Sequence, residues 1–185
     1  MTVAAVVLAA GGGTRFAGST HKLVAPFRGR PVVAWVLDAV RAAGFDEVLV
    51  VTGADPLEGL VPDDVTVVPN RRWAEGQSTS LTAAVAAAGA GGHRAVVVGL
   101  GDQPLVPASA WRAVGAAAGP IVTASFGGDR RPPVKLERSV WDLLPSEGDE
   151  GARSLMRGRP DLVSAVPCVG NPADIDTAED LARWS

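Results

Sequence analysis

The sequence predicts an α/β fold: a three-layer sandwich with helices on both faces of a mostly parallel central sheet. Three observations predict it: strands that are apolar without alternation, helical periodicities lying between them, and a glycine cluster that ends the first strand. A continuously apolar strand belongs in a sheet covered on both faces, and alternating strands and helices build such a sheet through right-handed crossovers. At 185 residues and 18.9 kDa the chain suits one domain, 1–185, with roughly 70% of its unfolded surface buried.

The first strand is Val3 to Leu8, expected at the centre of the sheet. After the glycines, Pro31 opens an amphipathic helix that stops at Gly44, with proline and glycine at the ends where each is favoured. Strands follow at Glu47 to Val51 and Val65 to Val68, then a helix from Gln77 to Ala88 that begins in a polar cluster. Ala95 to Val98 is a further apolar strand, and a helix from about Pro107 to Ala117 leads to a strand at Ile121 to Ala124. The last third is less regular. It reads as a short strand near Pro133 to Leu136, helices at Ser139 to Leu144 and Gly151 to Arg157, a strand at Leu162 to Val166 and a terminal helix from Thr177.

Composition excludes several classes. With 47% hydrophobic and 20% charged residues the chain is globular, and no run approaches the length of a membrane span. The apolar N-terminus lacks the basic region a signal peptide needs and runs directly into the glycines, so a cytoplasmic location is expected. A net charge of −3 argues against nucleic acid as a partner. Cys168 is the only cysteine, which forbids an internal disulfide, and His21 and His93 lack companions at zinc-ligand spacing. Any metal here is a hard cation on oxygen ligands.

The stretch Leu8-Ala9-Ala10-Gly11-Gly12-Gly13-Thr14-Arg15-Phe16, with His21-Lys22-Leu23 close behind, has the outline of a phosphate site. Consecutive glycines after a buried strand expose several N–H donors to one concave surface. Arg15 and Lys22 add full charges, each worth about 4 kcal/mol against a phosphate at an effective dielectric near 20, before desolvation. A dinucleotide fingerprint fails because Phe16 stands where the third glycine belongs, and a Walker loop fails because Ser19 follows Gly18 where lysine is required. Asp102, in Gly101-Asp102-Gln103-Pro104, follows an apolar strand at the end where open α/β sheets bind ligands.

The glycine segment with Lys22 resembles the L-A-A-G-x-S-x-R-M-G and N-K-L signature of the molybdenum cofactor cytidylyltransferases, nucleotidyltransferases of the Rossmann-like, glycosyltransferase A-like fold. The resemblance extends along the chain. Glu75-Gly76-Gln77-Ser78-Thr79-Ser80-Leu81 is similar to the family's E-G-x-S-x-S-L, Gly101 to Pro104 to its G-D-x-P, Gly148-Asp149-Glu150-Gly151-Ala152-Arg153 to its G-D-x-G-A-R, and Asp174-Ile175-Asp176-Thr177-Ala178-Glu179-Asp180-Leu181 to its D-I-D-T-P-E-D-L.

The resemblance implies transfer of a nucleoside monophosphate, CMP from CTP, to a phosphorylated acceptor such as molybdopterin, with release of pyrophosphate and with a molybdoenzyme or its chaperone as protein partner. It implies nucleotide contacts from Leu8, Ala9, Ala10, Gly11, Gly12, Gly13, Arg15, Lys22, Gly76, Ser78 and Ser80. Asp102 and Asp176 would hold Mg²⁺ or Mn²⁺, with Asp174 as the alternative second ligand, and Asp149 and Arg153 would face the acceptor. Arg15, Lys22 and Asp102 would carry the chemistry. Asp176 or Thr177 could instead cap the last helix, and Ser78, Thr79 and Ser80 could cap the helix they open. Departures from the pattern include Phe16, His21 before Lys22, and Arg131-Pro132-Pro133-Val134 in place of G-x-P-V. Phe16 and His21 are expected where the nucleotide or acceptor is read. Guanylyl or other nucleotide transfer, nucleotide binding without turnover, and NAD(P)-dependent oxidoreduction stand as alternative functions.

Overall fold

The computed structural model describes residues 2–14, 16, 20–55 and 57–184. The central sheet contains β1 (Val3–Ala9), β4 (Glu47–Thr52), β5 (Thr66–Pro69), β6 (Ala95–Leu100), β7 (Ile121–Phe126), β8 (Asp129–Glu137) and β9 (Val163–Pro167) in the order β5-β4-β1-β6-β8-β7-β9. β2 (Pro26–Phe27) and β3 (Arg30–Pro31) form a separate small hairpin. Every strand of the large sheet is parallel to the rest except β8, which runs antiparallel between β6 and β7.

The two apolar faces of β1 explain the layers. Ala5, Val7 and Ala9 face a core shared with α1 (Val32–Ala42) and α3 (Ala108–Ala116), where Leu37, Val40, Trp111 and Val114 are buried. Ala4 and Val6 face the opposite core, where α2 (Gln77–Ala90) contributes Leu81, Ala84 and Ala88, and α4 (Ala152–Gly158) contributes Leu155. The small side chains of α2 let it lie close on the sheet. Leu181 and Trp184 of α5 (Ala178–Trp184) pack against the first core. Gly99 in β6 is required by this packing, because a Cβ there would overlap the Trp111 ring.

The last third departs from the expected element lengths. β8 has nine residues rather than the four from Pro133 to Leu136, because its register with β7 shifts between Thr123 and Ala124 and the two prolines sit in that irregularity. Proline lacks a ladder donor and is tolerated in a strand at such a shift. The helix expected at Ser139 to Leu144 is a 3₁₀ segment, Arg138–Leu143.

The strand order places the site. From β1 the chain crosses to β4 and β5 on one side, then returns to β6 on the other, so a crevice opens between the C-terminal ends of β1 and β6. That reversal is where α/β sheets bind ligands. Because β8 is antiparallel, its N-terminal end reaches the same edge and brings Arg130 and Arg131 there.

Candidate nucleotide and metal site

Two adjoining clefts open at this edge. The smaller, about 360 Å³, is walled by Leu8 to Gly12, Thr14, Trp73, Gly76, Gln77 and Ser80. The larger, about 950 Å³, is lined by Thr123, Arg130, Arg131, Asp149, Arg153, Asp174 and Asp176 among others. Lys22, Asp102, Gln77 and Asp149 belong to both.

The glycine loop is closed on itself by groups that the sequence pattern suggested for recognition. His21 Nε2 lies 2.7 Å from the Gly11 carbonyl, and the Leu23 N–H donates to His21 Nδ1 at 3.3 Å, which makes Nε2 the protonated nitrogen. Gly13 has φ +59°, and a Cβ on it would press on the His21 ring at 3.2 Å. Phe16 is partly buried against the first core, and its N–H donates to the Gly13 carbonyl at 2.9 Å. Phe16 and His21 are not among the residues lining either cleft, and both make contacts within the loop. Gly13 is absent from both linings as well, and Arg15 lies outside the described residues.

Trp73 forms the opposite wall of the small cleft, over Gly12, where a Cβ would meet its ring at 3.0 Å. The start of α2 is set by Asn70, whose Nδ2 donates to Thr79 Oγ1 and Ser80 Oγ at 2.9 Å each. Ser80 Oγ therefore accepts from Asn70 at the cleft wall and keeps its own proton to donate. Ser78 is different: it is fully buried, its hydroxyl has no partner among the described residues, and it lines neither cleft. The Ser78 N–H donates to the Gly148 carbonyl at 2.9 Å, which docks the loop carrying Asp149 onto the start of α2.

At the junction of the clefts, Lys22 Nζ donates to Asp102 Oδ2 at 2.5 Å and to Asp176 Oδ1 at 2.8 Å. Burial works against the charged ammonium, but the two carboxylates outweigh it and hold Lys22 above its ordinary value. Burial is also the largest influence on Asp102 and pushes its carboxyl up, with Lys22 opposing. Asp102 Oδ1 is buried without a hydrogen-bond partner among the described residues.

Ile175 fixes the segment that brings Asp174 and Asp176 here. It is fully buried, and its N–H donates to the Asp102 carbonyl at 2.8 Å. Thr177 and Asp180 cap α5 reciprocally, the Thr177 N–H donating to Asp180 Oδ2 at 2.9 Å and the Asp180 N–H to Thr177 Oγ1 at 3.1 Å. Capping is thus performed by Thr177, and the Asp176 carboxylate turns to Lys22. Asp174 is held by Gln103 Nε2 at 2.8 Å and by Arg131 at 3.3 Å. Gln103, Asn70 and Trp73 are the site-building residues that sequence patterns did not single out; each stood inside or beside a motif, as Gln103 does after Asp102.

The donor set suits a hard cation: two carboxylates meeting at one point, one of them with a buried oxygen that has no partner among the described residues. Among the described residues no group of three or more His, Cys, Asp or Glu side chains is placed to hold a metal, so phosphate oxygens or water would complete the coordination. Among the described residues, too, no helix is long and apolar enough to cross a membrane.

Fold and crevice together define the Rossmann-like α/β class of the nucleotidyltransferases. The chain belongs to the MobA-like NTP transferase domain family, whose model matches residues 5–165. It is 30% identical to the nicotine blue oxidoreductase of Paenarthrobacter nicotinovorans, over 98% of this chain and 95% of that one. Among solved structures it is similar to Rv0371c of Mycobacterium tuberculosis H37Rv, with 29% identity, TM-score 0.87 and coverage of 100% of this chain and 97% of that one. A second structure of Rv0371c is a complex with manganese, TM-score 0.82. A nucleotidyl transferase from Methanothermobacter, Mth528, is 25% identical with TM-score 0.82, covering 98% of this chain and 95% of that one.

Proposed function

We propose that the protein is a divalent-metal-dependent nucleotidyltransferase that moves CMP from CTP to a phosphorylated acceptor, molybdopterin cofactor being the acceptor class the sequence resemblance favours. The observation that carries the reading is the meeting of the glycine loop, Lys22, Asp102 and Asp176 at the β1/β6 crevice, between a small and a large cleft.

In this reading the small cleft takes the nucleotide. Main-chain N–H groups from Gly11 and Gly12 face the triphosphate, Arg15 and Lys22 supply positive charge, and Ala10, Trp73, Gly76 and Ser80 enclose the nucleoside. Asp102 and Asp176 would hold Mg²⁺ or Mn²⁺, which when bound neutralises charge on the phosphates as pyrophosphate leaves; the manganese complex of Rv0371c supports that choice of ion. Asp174 is engaged by Gln103 and Arg131, which favours Asp176 as the second ligand. The large cleft takes the acceptor, with Arg153 and Arg131 facing its anionic group and Asp149 at the boundary. Attack by a phosphate oxygen needs alignment and relief of repulsion more than a base. The domain is the whole of 1–185, in the cytoplasm.

A second reading, an NAD(P)-dependent oxidoreductase, is favoured by the likeness to nicotine blue oxidoreductase along nearly the whole chain. The residues that would receive an adenosine ribose weigh against it. Val51-Thr52-Gly53 ends β4 without a carboxylate, Thr52 is buried, and a Cβ at Gly53 would lie 2.6 Å from the Ala10 carbonyl oxygen.

Pyrophosphate release with CTP, Mn²⁺ and molybdopterin cofactor tests the proposal. Turnover is expected with the wild type, and Asp102→Ala is expected to lower kcat at least about 100-fold, a barrier increase of about 2.7 kcal/mol. A loss of less than about threefold, under about 0.7 kcal/mol, removes Asp102 from the chemistry.

A further inference from the structure

The carboxylates that suit a divalent ion already hold a monovalent one. The Lys22 ammonium lies between Asp102 Oδ2 and Asp176 Oδ1 with its side chain only 14% exposed, in the place where the two acids would share a metal. An ammonium and a dication repel, and Lys22 occupies one oxygen of each carboxylate, Asp102 Oδ2 and Asp176 Oδ1. A metal entering here therefore competes with Lys22 for the two carboxylates. Leaving is unfavourable by itself, because it strips a part-buried cation of two partners and leaves two carboxylates facing each other. Asp174 is already paired with Gln103 and Arg131.

A destination exists on the other side. Lys22 also lines the small cleft beside Gly11, Gly12 and Thr14. Its main chain is fixed by the buried Leu23 and the His21 turn, while its four-carbon stem has several rotatable bonds by which to carry the charge across. We propose that Lys22 is a placeholder for the metal: it keeps Asp102 and Asp176 together in the resting protein, and it yields them only when a triphosphate on the glycine loop offers another anion. Metal binding is then conditional on nucleotide binding, and the coupling is reciprocal. The inference rests on the reading of the small cleft as a nucleotide site.

The test is titration of Mn²⁺, followed by the loss of the free-ion electron paramagnetic resonance signal, on the full chain without nucleotide. Lys22→Met keeps the stem and removes the charge; Lys22→Gln keeps polar contact with the carboxylates should Met disturb folding. Both are expected to bind Mn²⁺ at least tenfold more tightly than wild type, and Lys22→Met combined with Asp102→Asn is expected to lose that gain. A non-hydrolysable CTP analogue should tighten Mn²⁺ binding to wild type and tighten it less in Lys22→Met. Equal or weaker Mn²⁺ binding by both lysine variants overturns the placeholder, even where CTP binding persists. A tenfold gain in the variants with no CTP binding by wild type leaves the placeholder standing and overturns the nucleotide reading instead.

Discussion

Gly76 has φ +113°, and a Cβ on it would lie 2.5 Å from the carbonyl carbon and oxygen of Gly148 and 2.8 Å from Asp149 Oδ1. Two requirements coincide there: a backbone conformation that side chains rarely adopt, and contact between two main chains. Gly76→Ala is expected to destabilise the fold by about 1–3 kcal/mol and to raise the CTP dissociation constant, because the loop with Asp149 loses its seat on α2. Denaturant melts together with CTP titration check it; unchanged stability means that the loop docking does not depend on this glycine. Both glycine motifs were legible in the sequence, but their contact was not, since no local pattern joins Gly76 to Gly148. The same limit applies to Lys22. Its type and spacing announced a phosphate ligand, while the ion pairs with Asp102 and Asp176 depend on three segments that only the sheet brings together.

Elements were most legible where both faces of a strand are buried. β1, β4 and β6 appear within a residue or two of their apolar runs because nothing polar interrupts them. β8 was read only from Pro133 to Leu136, whereas the register shift against β7 absorbs both prolines and the strand begins at Asp129. At the last helix the sequence left Asp176 and Thr177 as rival caps, and the reciprocal bonds of Thr177 and Asp180 decide between them. That cap makes a pH prediction. The Thr177 hydroxyl, then the Asp176 and Thr177 N–H groups and Arg183, hold the Asp180 carboxyl below its ordinary value. A depressed carboxylate stabilises the folded state fully above its unfolded pKa, and the contribution disappears as pH falls through the folded one. The stability advantage of wild type over Asp180→Asn is therefore expected at neutral pH and should vanish in acid, as read by thermal melts across the pH range. An advantage that persists in acid assigns the effect to packing instead of charge.

At the scale of the molecule, the reversal of strand order gathers the glycine loop, Asp102, the β8 arginines and the Ile175 segment at one edge of the sheet. A ligand spanning that edge touches β1, β6, α2 and the segment before α5 at once, so binding must stabilise the fold as a unit. At 100 times its dissociation constant a ligand adds about 2.7 kcal/mol, which for a chain of this size raises the melting temperature by about 5–11 °C. CTP with Mn²⁺ is expected to reach that range. Because Lys22 leaves Asp102 and Asp176 only for a triphosphate, Mn²⁺ alone at the same concentration should move the transition far less, and the combined shift should exceed the sum of the separate ones. ATP, GTP and UTP with Mn²⁺ rank the base preference in the same measurement. NADH or NADPH is expected to give no shift, as Gly53, which follows β4, lies against Ala10 and Trp73 with no carboxylate for a ribose. Stabilisation by a dinucleotide and by none of the triphosphates would transfer the crevice to the oxidoreductase reading.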